Sequence, residues 1–187
     1  MPCNFFLMIL TQSNMKHIGI LFVLLFLFSC NRNNLEKQLI NFSGTEIFFP
    51  ESLQANQQGR DTLMILTHAP LKIVVWCDSI GCCSSCRIKR LLEWNEFGDV
   101  FEPIFIFSTK ANEQHSIHNT LRTSGFKHPV YIDKGNFFRK NNPDIPSDAR
   151  LHTFLLDENN KVILIGNPIN NEMLWELYKE QISSQIK

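Results

Sequence analysis

Long apolar runs alternate with amphipathic segments along most of the chain. Residues 71–77 form an almost continuously apolar run, which predicts a strand buried on both faces. A second run of this kind covers 103–108, and a shorter one covers 130–133. Between them, apolar residues recur at the spacing of helices, first up to Gly98 and then over 111–124. The pattern is typical of parallel strands joined by helices.

The C-terminal part of the chain predicts a hairpin and a last helix. Residues 153–157 and 161–165 are strand-like and flank the turn Glu158-Asn159-Asn160. Asn171 is a natural N-cap for a helix, whose predicted inner face consists of Leu174, Leu177, Tyr178 and Ile182. Together with the preceding elements, this order predicts an α/β protein with a three-layer α/β/α arrangement around a mixed sheet.

The segment before the first buried strand is less regular. Residues 45–50 alternate and stop at Pro50, which predicts a short edge strand. Residues 54–61 are polar and contain Gly59, which favours a loop, and 63–66 predicts one more strand.

The N-terminal region has the pattern of an export signal. A short basic start at 15–17 precedes an almost purely apolar run over 18–28, which is too short to span a bilayer and fits a signal peptide. The run ends in Leu27-Phe28-Ser29-Cys30, which resembles the lipobox of bacterial lipoproteins, in which the cysteine is diacylated and becomes the first residue of the mature protein. Met15 is the more natural initiator, so we interpret the residues before it as a mis-called start. An uncleaved anchor, or an ordinary signal peptide followed by a chance cysteine, is the alternative.

These observations predict the organisation and location of the chain. We expect a signal peptide over 1–29, a lipid-linked tether over 30–41 and one domain over 42–187. Such a protein is lipid-anchored in the cell envelope, facing the periplasm or lying on the outer-membrane surface. The 18 basic and 18 acidic side chains balance without a basic block, so nothing indicates nucleic acid as a partner.

The candidate chemistry lies in a cluster of cysteines that directly follows the 71–77 run. Cys83 and Cys86 form a CxxC motif at the point where strand-like sequence changes to helix-like sequence. Two thiols at this spacing can close a small disulfide ring, and the unpaired N–H groups of a helix start stabilise a thiolate. Zinc sites use the same spacing, and Cys82 forms a CxxxC with Cys86, so the pairing is open at this point. Cys77 lies inside the strand run and is interpreted as a small buried apolar residue.

The chain resembles the TlpA-like branch of thioredoxin-fold proteins, and short lipoproteins of Bacteroidetes-type bacteria that carry such a domain. The resemblance covers roughly 42–178 and is carried by three segments: 44–53 as an N-terminal β-hairpin extension, Cys83-Ser84-Ser85-Cys86-Arg87, and 153–162 as the strand–turn–strand that follows the active site.

The resemblance implies a thioredoxin-like fold and thiol–disulfide exchange outside the cytoplasm without a cofactor. Cys83 would attack and Cys86 would resolve the mixed disulfide, with the helix start acidifying the earlier thiol and the next turn burying the later one. The partners would be client thiols or disulfides and an upstream redox protein. Asp78 is a candidate proton shuttle to Cys86, and Arg87 a candidate positive charge near the thiolate.

The sequence departs from that branch in two places, and these open an alternative. Cys82 stands where an aromatic residue usually precedes the first cysteine, and Arg150-Leu151-His152-Thr153 stands where a cis-proline usually precedes the strand. Cys82, Cys86 and His152 are the ligand types of Sco-type copper chaperones, and thiolates with imidazole suit Cu(I) or zinc. A redox-inert binding module that keeps the fold is the remaining alternative.

Overall fold

A computed structural model describes residues 34–62, 69–78, 84–96 and 102–185 of the chain. Two compact units are distinguished, 1–40 and 41–187. The predicted signal peptide, Cys30 and the strand predicted over 63–66 lie outside the described residues. Within the described ranges, no helix combines the length and the apolar content that crossing a membrane requires.

The elements of the second unit follow the predicted order. The first helix, α1, covers 34–42, and its last two residues, Asn41 and Phe42, belong to this unit. The strands are β1 (Gln54–Gln57), β2 (Arg60–Thr62), β3 (Lys72–Cys77), β4 (Glu102–Ser108), β5 (Val130–Asp133), β6 (Thr153–Leu156) and β7 (Val162–Ile165). The later helices are α2 (Ser84–Arg90), α3 (Gln114–Ser124), α4 (Phe137–Asn141) and α5 (Glu172–Gln185), and short 3-10 helices cover Leu92–Glu96, Ala111–Glu113 and Ala149–Leu151.

The strands form one mixed sheet in the order β2-β1-β5-β4-β3-β6-β7. β3, β4 and β5 run parallel, whereas β6 is antiparallel to β3 and β7 is antiparallel to β6. The order β4-β3-β6-β7, with a helical connection from β3 to β4 and a final helix after β7, is the thioredoxin-like arrangement. The predicted fold class is therefore confirmed, including the hairpin β6–β7, and an N-terminal antiparallel pair, β1–β2, extends the sheet.

Two apolar clusters hold helices against the two faces of the sheet. Side chains of a strand alternate between faces, so Ile73 and Val75 belong to one cluster and Val74 and Trp76 to the other. The first cluster includes buried residues of α2, α3 and α5, and the second includes Phe138 of α4. β3 is buried on both faces, as its continuous apolar run predicted.

The N-terminal hairpin is formed by residues other than those predicted. The polar segment 54–61, predicted as a loop, supplies β1 and most of β2, while 45–50 contributes only an isolated bridge between Glu46 and Lys161. Gln58 and Gly59 both have positive φ, 50° and 79°, as a two-residue hairpin turn requires. A Cβ on Gly59 would lie 2.8 Å from the carbonyl oxygen of His118, so this position also needs glycine for close approach. All three residues of β2 are exposed, which explains why no hydrophobic alternation marks this hairpin.

Two helices also differ from the prediction. The helix after β3 ends at Arg90 and continues as the 3-10 helix Leu92–Glu96, while the predicted terminator Gly98 lies outside the described residues. In α5, Asn171 caps the helix by accepting from the Leu174 N–H at 3.1 Å, and Tyr178 and Ile182 are buried as predicted. Leu177, however, is 43% exposed, because it lies one position before Tyr178, the residue that faces the sheet.

Candidate active site

The candidate site lies at the carboxyl edge of the parallel strands, where ligands bind in open α/β sheets. β3 ends at Cys77, β4 at Ser108 and β5 at Asp133, and the register pairs Ser108 with Asp133. The helix α2, whose first turn contains Cys86, is the next described element after β3.

Cys86 lies in the first turn of α2 and its side chain is exposed. The expectation that this cysteine would be buried was therefore wrong. Ile88 in α2 and Leu91, the residue directly after α2, are buried in the first apolar cluster. Cys86 precedes Ile88 by two positions, about 200° around the helix, so it faces away from the core. Cys82 and Cys83 lie outside the described residues, and the choice of partner for Cys86 stays a prediction.

A cavity of about 260 Å³ opens at this edge. Its walls come from the end of β3, the end of α2 with the following 3-10 helix, the residues before β6 and the loop after β7. Its lining includes six polar or reactive residues: Cys77, Asp78, Arg90, His152, Thr153 and Asn167. Trp94, which is 2% exposed, supplies part of the apolar wall.

His152 occupies the position directly before β6, next to the end of β3. Its backbone oxygen accepts the Trp76 N–H at 2.8 Å, and its Nε2 lies 2.9 Å from the Pro146 carbonyl oxygen. A carbonyl only accepts, so Nε2 carries the proton of the neutral ring. Burial lowers the pKa of His152, while the Pro146 hydrogen bond and the charge of Asp78 oppose that shift.

The Trp76 ring separates His152 from a buried polar chain. Its centroid lies 4.3 Å from the centroid of the His152 ring. The indole Nε1 donates to Ser108 Oγ at 3.0 Å, and Ser108 Oγ donates to Asp133 Oδ2 at 3.2 Å. Asp133 also accepts the N–H groups of Phe137 and Phe138 at 2.9 and 3.0 Å, at the start of α4.

The loop before His152 is held at its surface by an ion pair. Asp148 caps the 3-10 helix Ala149–Leu151 by accepting the backbone N–H of Arg150. Hydrogen bonds from the Arg150 side chain and backbone lower the pKa of Asp148 to about 2. Arg150 is exposed and Asp148 is partly exposed, so this pair orders the loop locally and adds little to stability.

The structure places the predicted site residues as follows. Asp78 and His152 line the same cavity, and Cys77 is half-buried against the first apolar cluster. The Arg87 side chain lies outside the described part. No group of three or more metal-ligating side chains occurs among the residues that the structure describes. Of the three predicted alternative metal ligands, Cys82, Cys86 and His152, Cys82 lies outside the described residues.

Sequence analysis missed Ser108 and Asp133. Both are fully or almost fully buried polar residues, at 0% and 1% exposure. Each is the last residue of a parallel strand, so both belong to the edge where sites form. A polar residue that ends a buried strand is the signal that could have identified them.

Comparisons with known proteins give structural likeness only. No family model and no curated protein matches the chain. Among solved structures, it is similar to an uncharacterized thioredoxin-like protein from Porphyromonas gingivalis, with 16% identity over 75% of this chain and 93% of the other and a TM-score of 0.46. It is also similar to the thioredoxin domain of a thiol-disulfide oxidoreductase from Bacteroides vulgatus, with 13% identity over 60% and 79% and a TM-score of 0.37. Mycobacterium tuberculosis AhpC shows 17% identity over 74% and 98% and a TM-score of 0.47. With identities of 13–17% and TM-scores of 0.37–0.47, these similarities carry no information about activity. The fold assignment depends on the strand order.

Proposed function

We propose that the protein is an extracytoplasmic thiol–disulfide oxidoreductase that uses Cys83 and Cys86. The observation that supports this proposal is the exposed position of Cys86 in the first turn of α2. Cys83 is the residue before α2, Cys86 is exposed in the first turn of that helix, and the motif follows the carboxyl end of the central strand β3. Helix-start N–H groups favour a thiolate there, and the thiolate is the reactive form.

The exchange follows from these two thiols. The Cys83 thiolate attacks one sulfur of a client disulfide, which forms a mixed disulfide and releases the other client sulfur as a thiolate. Cys86, once deprotonated, attacks the Cys83 sulfur and expels the second client thiolate. The client gains two electrons and two protons, and the protein is left with a Cys83–Cys86 disulfide that an upstream dithiol reduces again. Asp78, in the wall of the adjacent cavity, is the candidate proton carrier.

Cysteine variants test this proposal. Cys83→Ser should abolish reduction of a disulfide substrate such as insulin. Cys86→Ser should accumulate mixed disulfides because nothing resolves them. Equal behaviour of Cys86→Ser and the wild type, with Cys82 found bonded to Cys86, would show that the pair is misassigned.

The alternatives are separate outcomes of the same set of measurements. Stoichiometric binding of Cu(I) or zinc by the reduced protein, weakened in His152→Ala, would favour a metal carrier. Absence of both metal binding and exchange would leave the redox-inert binding module.

We also propose that Cys30 carries lipid and holds the domain at a membrane of the cell envelope. The support is the signal-length apolar run that ends at a lipobox-like cysteine. Cys30→Ala should lose membrane retention or remain unprocessed, as seen by fractionation and intact mass. Unchanged membrane association with a retained leader would indicate an uncleaved anchor instead.

A further inference from the structure

Two exposed phenylalanines lie over the second apolar cluster, on the side of the sheet that α4 covers. Phe48 is 54% exposed, and Phe137, the first residue of α4, is 44% exposed. Their direct neighbours Ile47 and Phe138 are buried in the second cluster. The backbone that buries these neighbours therefore keeps Phe48 and Phe137 on the outside.

Buried polar side chains hold both aromatic residues in place. The Phe48 N–H donates to Asn142 Oδ1 at 2.8 Å, and Asn142 Nδ2 donates to the Phe48 carbonyl oxygen at 2.9 Å. The Phe137 N–H donates to Asp133 Oδ1 at 2.9 Å. Asn142 and Asp133 are 4% and 1% exposed, and Asn142 directly follows α4. One aromatic residue is thus fixed beside each end of α4, which is about 8 Å long.

Lysines accompany Phe137 at this surface. The Lys140 Nζ lies 4.8 Å from the centroid of the Phe137 ring, and Lys134 and Lys140 are both exposed. Aromatic rings beside lysines suit the interfacial region of a bilayer, where a ring meets acyl chains and an ammonium group meets phosphate. Three exposed acidic residues in the flanking segments offset these charges: Glu46, Glu51 and Asp144. The attraction to a bilayer therefore depends on the rings and not on net charge.

The chain enters the domain on this same side of the sheet. Phe42, the last residue of α1, is buried in the second cluster, with its ring centroid 5.1 Å from that of Phe154. The proposed lipid attachment, Cys30, precedes Phe42 by twelve residues. The step from Cys30 to Asn34 reaches at most about 14 Å in any conformation, and α1 adds about 12 Å. A lipid on Cys30 is therefore tied within about 26 Å of Phe42.

The opposite side of the sheet carries a similar apolar pair but lacks these features. Met173 and Leu177 of α5 are 80% and 43% exposed. Because α5 packs on the first cluster, across the sheet from Phe42, a tether would have to pass around the domain to bring α5 to the membrane. The exposed charges of α5 are three acidic residues and one basic residue: Glu172, Glu176, Glu180 and Lys179. This negative charge opposes contact with anionic lipids.

We propose that the surface formed by Phe48 and Phe137, the aromatic face, rests on the phospholipid bilayer to which Cys30 is anchored. This inference rests on the proposed lipid anchor and adds the orientation of the domain. Acyl chains on Cys30 hold the domain at the membrane without orienting it, whereas two fixed rings at the interface select one side of the domain.

The test uses the lipidated full chain in vesicles of phosphatidylcholine and phosphatidylglycerol, with and without bromine on the acyl chains, which quenches the fluorescence of tryptophan in contact with them. Phe48→Trp and Phe137→Trp place reporters on the aromatic face, and Met173→Trp is the matched control on α5. We expect brominated lipid to lower the emission added by each aromatic-face tryptophan about twofold or more, relative to the wild type. The emission added in Met173→Trp should fall by less than about a tenth.

Quenching in either aromatic-face variant that is no stronger than in Met173→Trp would overturn the proposal. If acrylamide also failed to quench these two tryptophans, a protein partner would cover the face instead. Failure of the proposed anchor gives a different result: the intact mass lacks the lipid, the wild type separates from the vesicles, and the proposal falls with the anchor. A retained leader would keep the chain in the vesicles, and the quenching pattern would still decide the orientation.

Discussion

Replacing Asp133 by asparagine tests how strongly the buried chain supports the sheet edge. The carboxyl group is 1% exposed and accepts three hydrogen bonds, from Ser108 and from the N–H groups of Phe137 and Phe138. Asparagine has the same size but only one accepting oxygen, so one backbone N–H is left facing another donor. An unsatisfied buried donor costs about 1–3 kcal/mol. The negative charge lost at the start of the helix adds about 0.3–1 kcal/mol.

We therefore expect Asp133→Asn to lower the free energy of unfolding by about 1–4 kcal/mol. The assay is urea unfolding at neutral pH under reducing conditions, followed by tryptophan fluorescence. Asp144→Asn is the control, because Asp144 is exposed and the same change there should cost less than about 0.5 kcal/mol. An Asp133→Asn protein within about 0.5 kcal/mol of the wild type would refute the reasoning.

Two further predictions follow from backbone geometry and from burial. Gly59→Ala should lower the free energy of unfolding in urea by about 2 kcal/mol or more, because φ is +79° and an added Cβ would meet backbone atoms. The control is Gly44→Ala, where φ is +77° but the space around an added Cβ is open, and the loss should be about 1 kcal/mol. Equal losses in the two variants would contradict this explanation. Since burial lowers the pKa of His152, its contribution to stability is fully present above its unfolded pKa of about 6.5 and is lost as pH falls through the lower folded pKa. Unfolding free energy measured against pH should decline over that window in the wild type and decline less in His152→Gln; parallel curves would remove His152 as the cause.

Elements that bury a periodic apolar face could be predicted from sequence. β3, β4, β5 and the β6–β7 hairpin follow directly from apolar runs and a turn, because their side chains make the two clusters of the core. The β1–β2 hairpin could not be predicted in this way. It is a polar edge of the sheet, and its formation depends on backbone conformation at Gln58 and Gly59 and on pairing with β5.

The sequence pointed to Asp78 and His152 as candidate site residues, but not to the contacts behind them. Asp78 and His152 line one cavity because the strands β3 and β6 are paired. The sequence indicated that pairing only through the order of the predicted elements. Ser108 and Asp133 come together because parallel strands β4 and β5 end in register, and only the sheet shows that. The exposure of Cys86 depends on which face of α2 packs on the core, and the position of Ile88 in the helix could have predicted it.

A redox titration of the purified chain with thiol alkylation and mass mapping tests the central claim most directly. The proposal predicts one reversible two-electron couple in which Cys83 and Cys86 are protected together when oxidised and labelled together when reduced, while Cys77 is labelled independently of potential once the protein is unfolded. A titration in which Cys83 and Cys86 never pair, or in which Cys86 pairs with Cys82 instead, would contradict it.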